Sequence, residues 1–137
     1  MKVAIGCDHG GYDLKEVIKT YLKDELNIQF EDFGTYNKVR CDYPDYAFKV
    51  ASTVGNGMYG LGILVCGSGQ GVCMTANKVD QVRAALVYNS EVASLTRQHN
   101  NANVMCLPGR TLSDSELTDI VKSFLSTEFE GGRHEKR

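Results

Sequence analysis

The run Leu61-Gly62-Ile63-Leu64-Val65 contains no polar side chain that a water-facing position would need. A short, unbroken apolar run of this kind suits a strand covered on both faces. Sheets covered on both faces are parallel sheets flanked by crossover helices, so one segment already points to an α/β architecture. The rest of the chain agrees. Strand-like segments at Lys2–Gly6, Ile28–Phe33, Leu61–Val65, Val82–Val87 and Asn103–Leu107 alternate with stretches of helical period. In the first of these, Leu14, Val17, Ile18, Tyr21 and Leu22 recur at i, i+3, i+4, i+7 and i+8, one face of an amphipathic helix. A second helix is expected from about Tyr43 to Val54, and a short one ends near Lys78. A fourth runs to His99 with Ser90 as its cap. The last opens on Ser113-Asp114-Ser115-Glu116, a capping-box pattern, and presents Leu117, Ile120, Val121, Phe124 and Leu125.

Short strand–helix connections imply right-handed βαβ units. The expected fold is one three-layer, Rossmann-like α/β domain over residues 1–137, with a five-stranded parallel sheet in the order 2-1-3-4-5. Ligands of such sheets sit beyond the carboxyl ends of the strands, where strand order reverses. Here that crevice lies between strands one and three, under the loops Cys7–Gly11 and Cys66–Gly71.

Those loops hold the chemistry. Gly67-Ser68-Gly69-Gln70-Gly71 joins a buried strand to a helix start, and its glycines let backbone amides converge on an anion, with the helix dipole adding positive charge. The same pattern also serves a turn that merely needs positive φ. Cys66 stands just before it, and a thiol near a helix N-terminus has its pKa pulled below the free value of about 8.5. It then serves as base or nucleophile; otherwise it is a small buried hydrophobe. His9 lies in the first crevice loop beside Asp8, and His99 ends the fourth helix, where a cation also complements the dipole. Arg133 and Arg137 share one face if the tail is helical, a good phosphate clamp, or else belong to a frayed basic terminus. No H-x-x-x-H or Cys/His cluster has metal-ligand spacing, so neither metal nor cofactor is expected.

Charge and composition narrow the class. A net charge of -2 disfavours a nucleic-acid partner while leaving room for a small anion held by a few local cations. Five scattered cysteines, with no C-x-x-C pair, read as free thiols of a reducing compartment. No leader pattern opens the chain, and no apolar run approaches the roughly 20 residues that cross a bilayer. A cytoplasmic protein without membrane contact is expected.

Six ordered blocks carry a specific resemblance: Gly6-Cys7-Asp8-His9-Gly10-Gly11, Asp42-Tyr43-Pro44-Asp45-Tyr46-Ala47, Cys66-Gly67-Ser68-Gly69-Gln70-Gly71, Ala76-Asn77-Lys78, Arg97-Gln98-His99-Asn100 and Glu130-Gly131-Gly132-Arg133-His134. Together they resemble the ribose-5-phosphate isomerase type B family, which includes galactose-6-phosphate isomerase subunits. The resemblance implies metal-free interconversion of ribose 5-phosphate and ribulose 5-phosphate through a cis-enediolate. It assigns Cys66 as the base, Ser68 and the Gly67, Gly69, Gln70 and Gly71 amides as enediolate donors, and His99 to ring opening. Asp8 and Asp42 would hold sugar hydroxyls, Asn100 would line the substrate site, and His9, Arg110, Arg133 and Arg137 would bind phosphate, with the tail from about 128 to 137 contributing. It further implies a homodimer, or a dimer of dimers, with shared active sites. Pro108 stands where the family commonly has glycine, which stiffens the approach to Arg110. Competing readings are an isomerase of galactose 6-phosphate or allose 6-phosphate, a non-catalytic phosphometabolite-binding module, and a cysteine hydrolase using Cys66 with His99.

Overall fold

The computed structural model describes residues 1–137. Its strands are β1 (Lys2–Cys7), β2 (Gln29–Asp32), β3 (Leu61–Cys66), β4 (Ala84–Leu86) and β5 (Val104–Pro108), and its helices are α1 (Tyr12–Asp24), α2 (Tyr43–Gly55), α3 (Gln70–Ala76), α4 (Ser90–Asn100) and α5 (Asp114–Ser126). All pairings are parallel. Every residue of β3 is buried, as its apolar run requires. Helices α1, α4 and α5 cover one face of the sheet, where Ile18, Leu22, Ala93, Leu117 and Phe124 meet Val3, Ile63 and Met105. Helices α2 and α3 cover the other, through Val50, Val54, Val72 and Ala76. No helix is long and apolar enough to cross a membrane.

The sheet order is β2-β1-β3-β5-β4, not the expected 2-1-3-4-5. The last two strands exchange places because their burial differs. All of β5 is fully enclosed, whereas the three residues of β4 are only half-buried and follow Arg83, whose side chain reaches outward to the Asn100 carbonyl at 2.6 Å. An edge position suits β4, a central one β5. The exchange matters for the site, since it sets the loop after β5 directly beside the loop after β3. The switch between β1 and β3 survives unchanged.

Local signals explain most helix ends. Ser113 accepts from the Glu116 N–H at 3.3 Å and caps α5 as its sequence pattern predicts. The cap of α4 is Asn89, not Ser90: the Asn89 carboxamide accepts from Val92 at 2.8 Å, and Ser90 is already helical. Before α1, Asp8 caps a 3-10 turn, His9–Gly11, by accepting from the Gly11 N–H at 3.1 Å. In the tail, no α-helix joins Arg133 to Arg137. Gly131 and Gly132 adopt φ of 67° and 55°, which an α-helix excludes, and a single 3-10 turn spans Gly132–His134.

One buried cation escapes the apolar pattern. Lys15 is fully enclosed on α1 and binds both Asp32 oxygens, at 2.7 and 2.8 Å, and the Thr35 carbonyl. Lys19 adds a second bond to Asp32, and the Gly34 N–H a third partner. This network ties α1 to the chain leaving β2, which then runs on to His9's neighbour Cys41.

Candidate active site

Three loops leaving β1, β3 and β5 meet backbone to backbone at the carboxyl edge of the sheet. Gly109 donates to the Cys66 carbonyl at 2.7 Å, and Arg110 to the Gly67 carbonyl at 3.1 Å. A Cβ on Gly109 would lie 2.9 Å from the Gly10 carbonyl oxygen, and one on Gly67 would meet the Arg110 guanidinium at 3.0 Å. Glycine is therefore required for this close approach, and the approach brings Arg110 over the β3 loop.

Cys66 ends β3, buried, with its sulfur accepting the Gly69 N–H at 3.2 Å. Gly69 sits in the left-handed region at φ 76°, and this turn swings its amide back over the sulfur. The sulfur therefore lies under a backbone donor at the start of a helix. Ser68 is exposed; its oxygen accepts from the Gln70 N–H at 3.3 Å, leaving the hydroxyl proton free to donate outward. Gln70 begins α3, so the amides of this turn open toward solvent at a helix start. Gly71 lies flat against the Tyr43 ring, where a Cβ would come within 2.5 Å of the ring carbon Cζ. Tyr43 thus forms a wall of the crevice, a role its sequence context, a helix-initiating cluster, did not single out.

Asp42 precedes α2 in extended conformation and makes no capping bond, so its carboxylate is uncommitted. Asp8 spends one oxygen on the Gly11 amide and keeps the other. His9 Nδ1 accepts from the Cys41 N–H at 3.2 Å. An amide only donates, so Nδ1 carries no proton and Nε2–H is the donor the imidazole presents. The loops carrying Asp8, His9, Cys66, Gly67–Gly71 and Arg110 thereby meet at one edge of the sheet, with Tyr43 against Gly71.

His99, Asn100, Arg133 and Arg137 do not join them within the chain. Crossover helices run antiparallel to their strands, so α4 ends where β5 begins, at the amino edge of the sheet. Arg83, which precedes β4, binds the Asn100 carbonyl there. Cys66 lies at the opposite edge, about 15–20 Å away along a strand. The tail docks beside α4: Glu130 donates to the Gln98 carbonyl at 3.1 Å, and Arg97 to the Thr127 carbonyl at 3.1 Å. A cleft of about 260 Å³ results, lined among others by Asn100, His134 and Arg137. Docking also stacks the His99 and His134 rings, with centroids 4.5 Å apart. Glu130 lies beside both, and no local spacing in the sequence joins His99 to the other two. The arrangement yields two clusters at opposite edges: a cysteine with an amide cradle, and a histidine with arginines.

Comparison with known proteins closes the description. The ribose/galactose isomerase family model matches residues 3–137. A relative from Mycoplasma genitalium described as a probable ribose-5-phosphate isomerase B is 50% identical over 137 residues, covering 98% of this chain and 90% of its own. Ribose-5-phosphate isomerase B of Escherichia coli is 40% identical over 136 residues, covering 99% and 91%. A crystal structure of the Thermotoga maritima ribose 5-phosphate isomerase superposes with a TM-score of 0.96 at 46% identity, over 99% of this chain and 93% of that one. The Mycoplasma genitalium enzyme with bound ribulose-5-phosphate gives 0.93 at 49% identity, over 99% and 90%.

Proposed function

This chain belongs to the ribose/galactose isomerase family, and we propose that it interconverts ribose 5-phosphate and ribulose 5-phosphate by proton transfer between C1 and C2. The observation that carries the substrate is the near-identical fold of a 49%-identical enzyme holding ribulose-5-phosphate. The chemistry rests on Cys66 lying beneath a donor-rich turn.

Starting from the open-chain aldose, the Cys66 thiolate removes the C2 proton, the hydroxyl proton passes from O2 to O1 across the cis-enediolate, and the Cys66 thiol returns its proton to C1 to give the ketose. Charge that develops on the carbonyl oxygen meets the Gly67–Gly71 amides and the Ser68 hydroxyl, donors already in place before reaction. Proton transfer beside a carbonyl calls for this base and cradle, and no electron acceptor. Asp8 and Asp42 offer carboxylate oxygens to sugar hydroxyls. His9, through Nε2–H, and Arg110 take phosphate oxygens.

His99 opens the furanose ring, and Arg133 and Arg137 complete the phosphate clamp from a second copy of the chain. The two half-sites at opposite sheet edges support this pairing, because one chain alone keeps His99 away from Cys66. A homodimer then forms two equivalent sites, each from both subunits. The chain works in the cytoplasm on this reading.

Ribose 5-phosphate turnover by wild type and Cys66→Ala tests the proposal, with galactose 6-phosphate and allose 6-phosphate alongside. Loss of the base lowers kcat by about 10²–10⁴-fold with little change in KM. Hexose turnover alone overturns the pentose assignment; wild-type activity in Cys66→Ala overturns the mechanism.

A further inference from the structure

The docked tail brings Glu130 and His134, to which the isomerase mechanism gives no step, up to His99. Nε2 of His99 and Nε2 of His134 lie 3.8 and 3.6 Å from the same Glu130 oxygen. Both separations are too long for a hydrogen bond. The three potential ligand atoms nevertheless lie within 4.8 Å of one another. Ligands about 2.0–2.1 Å from a tetrahedral ion sit roughly 3.4 Å apart, so side-chain rotation of the partly exposed His99 and the exposed Glu130 toward His134 would close these three atoms on one cation.

The donor set selects the ion. Two imidazoles and a carboxylate suit zinc and its neighbours, while calcium and magnesium prefer oxygen alone. Imidazole ligates in its neutral form, so occupancy of such a site falls as pH drops. Both Nε2 atoms face Glu130; the rings are stacked 16° from parallel, so one of them must tilt for both in-plane lone pairs to meet one ion. Arg133 and Arg137 oppose a cation here, which limits affinity, and a phosphate held by the same arginines would offset that repulsion.

We propose that His99, Glu130 and His134 bind a zinc-class divalent ion, and that the bound ion inhibits the enzyme by withdrawing His99 from ring opening. The inhibitory half rests on the role assigned to His99 above; the site itself does not. Glu130 and His134 then act as a metal-responsive brake on a reaction that uses no metal.

Calorimetric titration of Zn²⁺ into the full chain reads the site, and isomerase assays with Zn²⁺ and then chelator read its effect. Wild type should bind a single ion per chain and lose activity reversibly. His134→Ala and Glu130→Gln should weaken binding about tenfold or more and shift inhibition equally, each measured against its own metal-free turnover; Cys66→Ser should bind zinc normally. Absence of saturable binding, or binding lost in Cys66→Ser and intact in His134→Ala, overturns the site. Normal binding with undiminished turnover overturns the inhibition and points to the His99 assignment as the error.

Discussion

The Gly69 N–H points at the Cys66 sulfur from 3.2 Å, and this contact depends on a left-handed glycine three residues beyond the cysteine. An alanine at Gly69 would put its Cβ 2.6 Å from the Leu86 side chain and 3.0 Å from the Leu107 carbonyl carbon. The turn that aims the donor is therefore also the turn that tolerates no side chain.

Gly69→Ala should accordingly cost about 2 kcal/mol of stability, from left-handed strain and the clash together. It should lower kcat by about a hundredfold, because a displaced amide no longer faces the sulfur. Urea midpoints and steady-state kinetics check the two effects. An active, fully stable variant would contradict the geometry.

Acid should unfold the protein partly through Asp32. Burial alone would raise this carboxyl, but hydrogen bonds from Lys15, Lys19 and the Gly34 N–H outweigh it and hold it below the ordinary carboxylate value. A depressed folded pKa contributes stability that is present above the unfolded value of about 3.9 and disappears as pH falls through the folded one. Asp32→Asn, which leaves Lys15 buried beside a neutral group, should cost about 3 kcal/mol at pH 7. The difference from wild type should shrink as pH falls below about 3.9, read by denaturant midpoints across pH. A pH-independent difference would show that the ion pair is not the cause.

Thiol reactivity should divide the cysteines sharply. A hydrogen bond from the Cys106 thiol pulls Cys73 down to about 7 against the effect of burial, and that burial pushes Cys106 far up. Burial likewise pushes Cys7 up to about 12. Iodoacetamide should label half-buried Cys73 with a midpoint near pH 7 and leave Cys7 and Cys106 unmodified in the folded protein. Peptide mass spectrometry after a pH series measures this, and labelling of Cys73 only above pH 8.5 would refute it (the free-thiol value is about 8.5).

What the sequence made legible follows the range of the interactions involved. The α5 cap and its apolar face, the buried β3 run and the glycine turn after Cys66 are local patterns, and the structure places each where its spacing predicts. The exchange of β4 and β5 is a choice between partners far apart in sequence. Arg83 beside the weak Ala84–Leu86 strand was the available hint of an edge. Buried Lys15 was hidden because its partner Asp32 lies 17 residues away. The separation of His99 from Cys66 follows from the direction of α4 against the sheet, a property of the assembled fold. Motif blocks named both residues without revealing that one chain holds them apart.

Mixing two inactive variants measures the central claim most directly. Cys66→Ala and His99→Ala should each be nearly inert alone. After co-refolding, half the dimers are mixed, and each mixed dimer holds one site with both defects and one site with neither. The account predicts recovery of about one quarter of wild-type activity on ribose 5-phosphate. A mixture that forms hybrid dimers yet stays as inactive as its parents would contradict a site built from Cys66 of one subunit and His99 of the other.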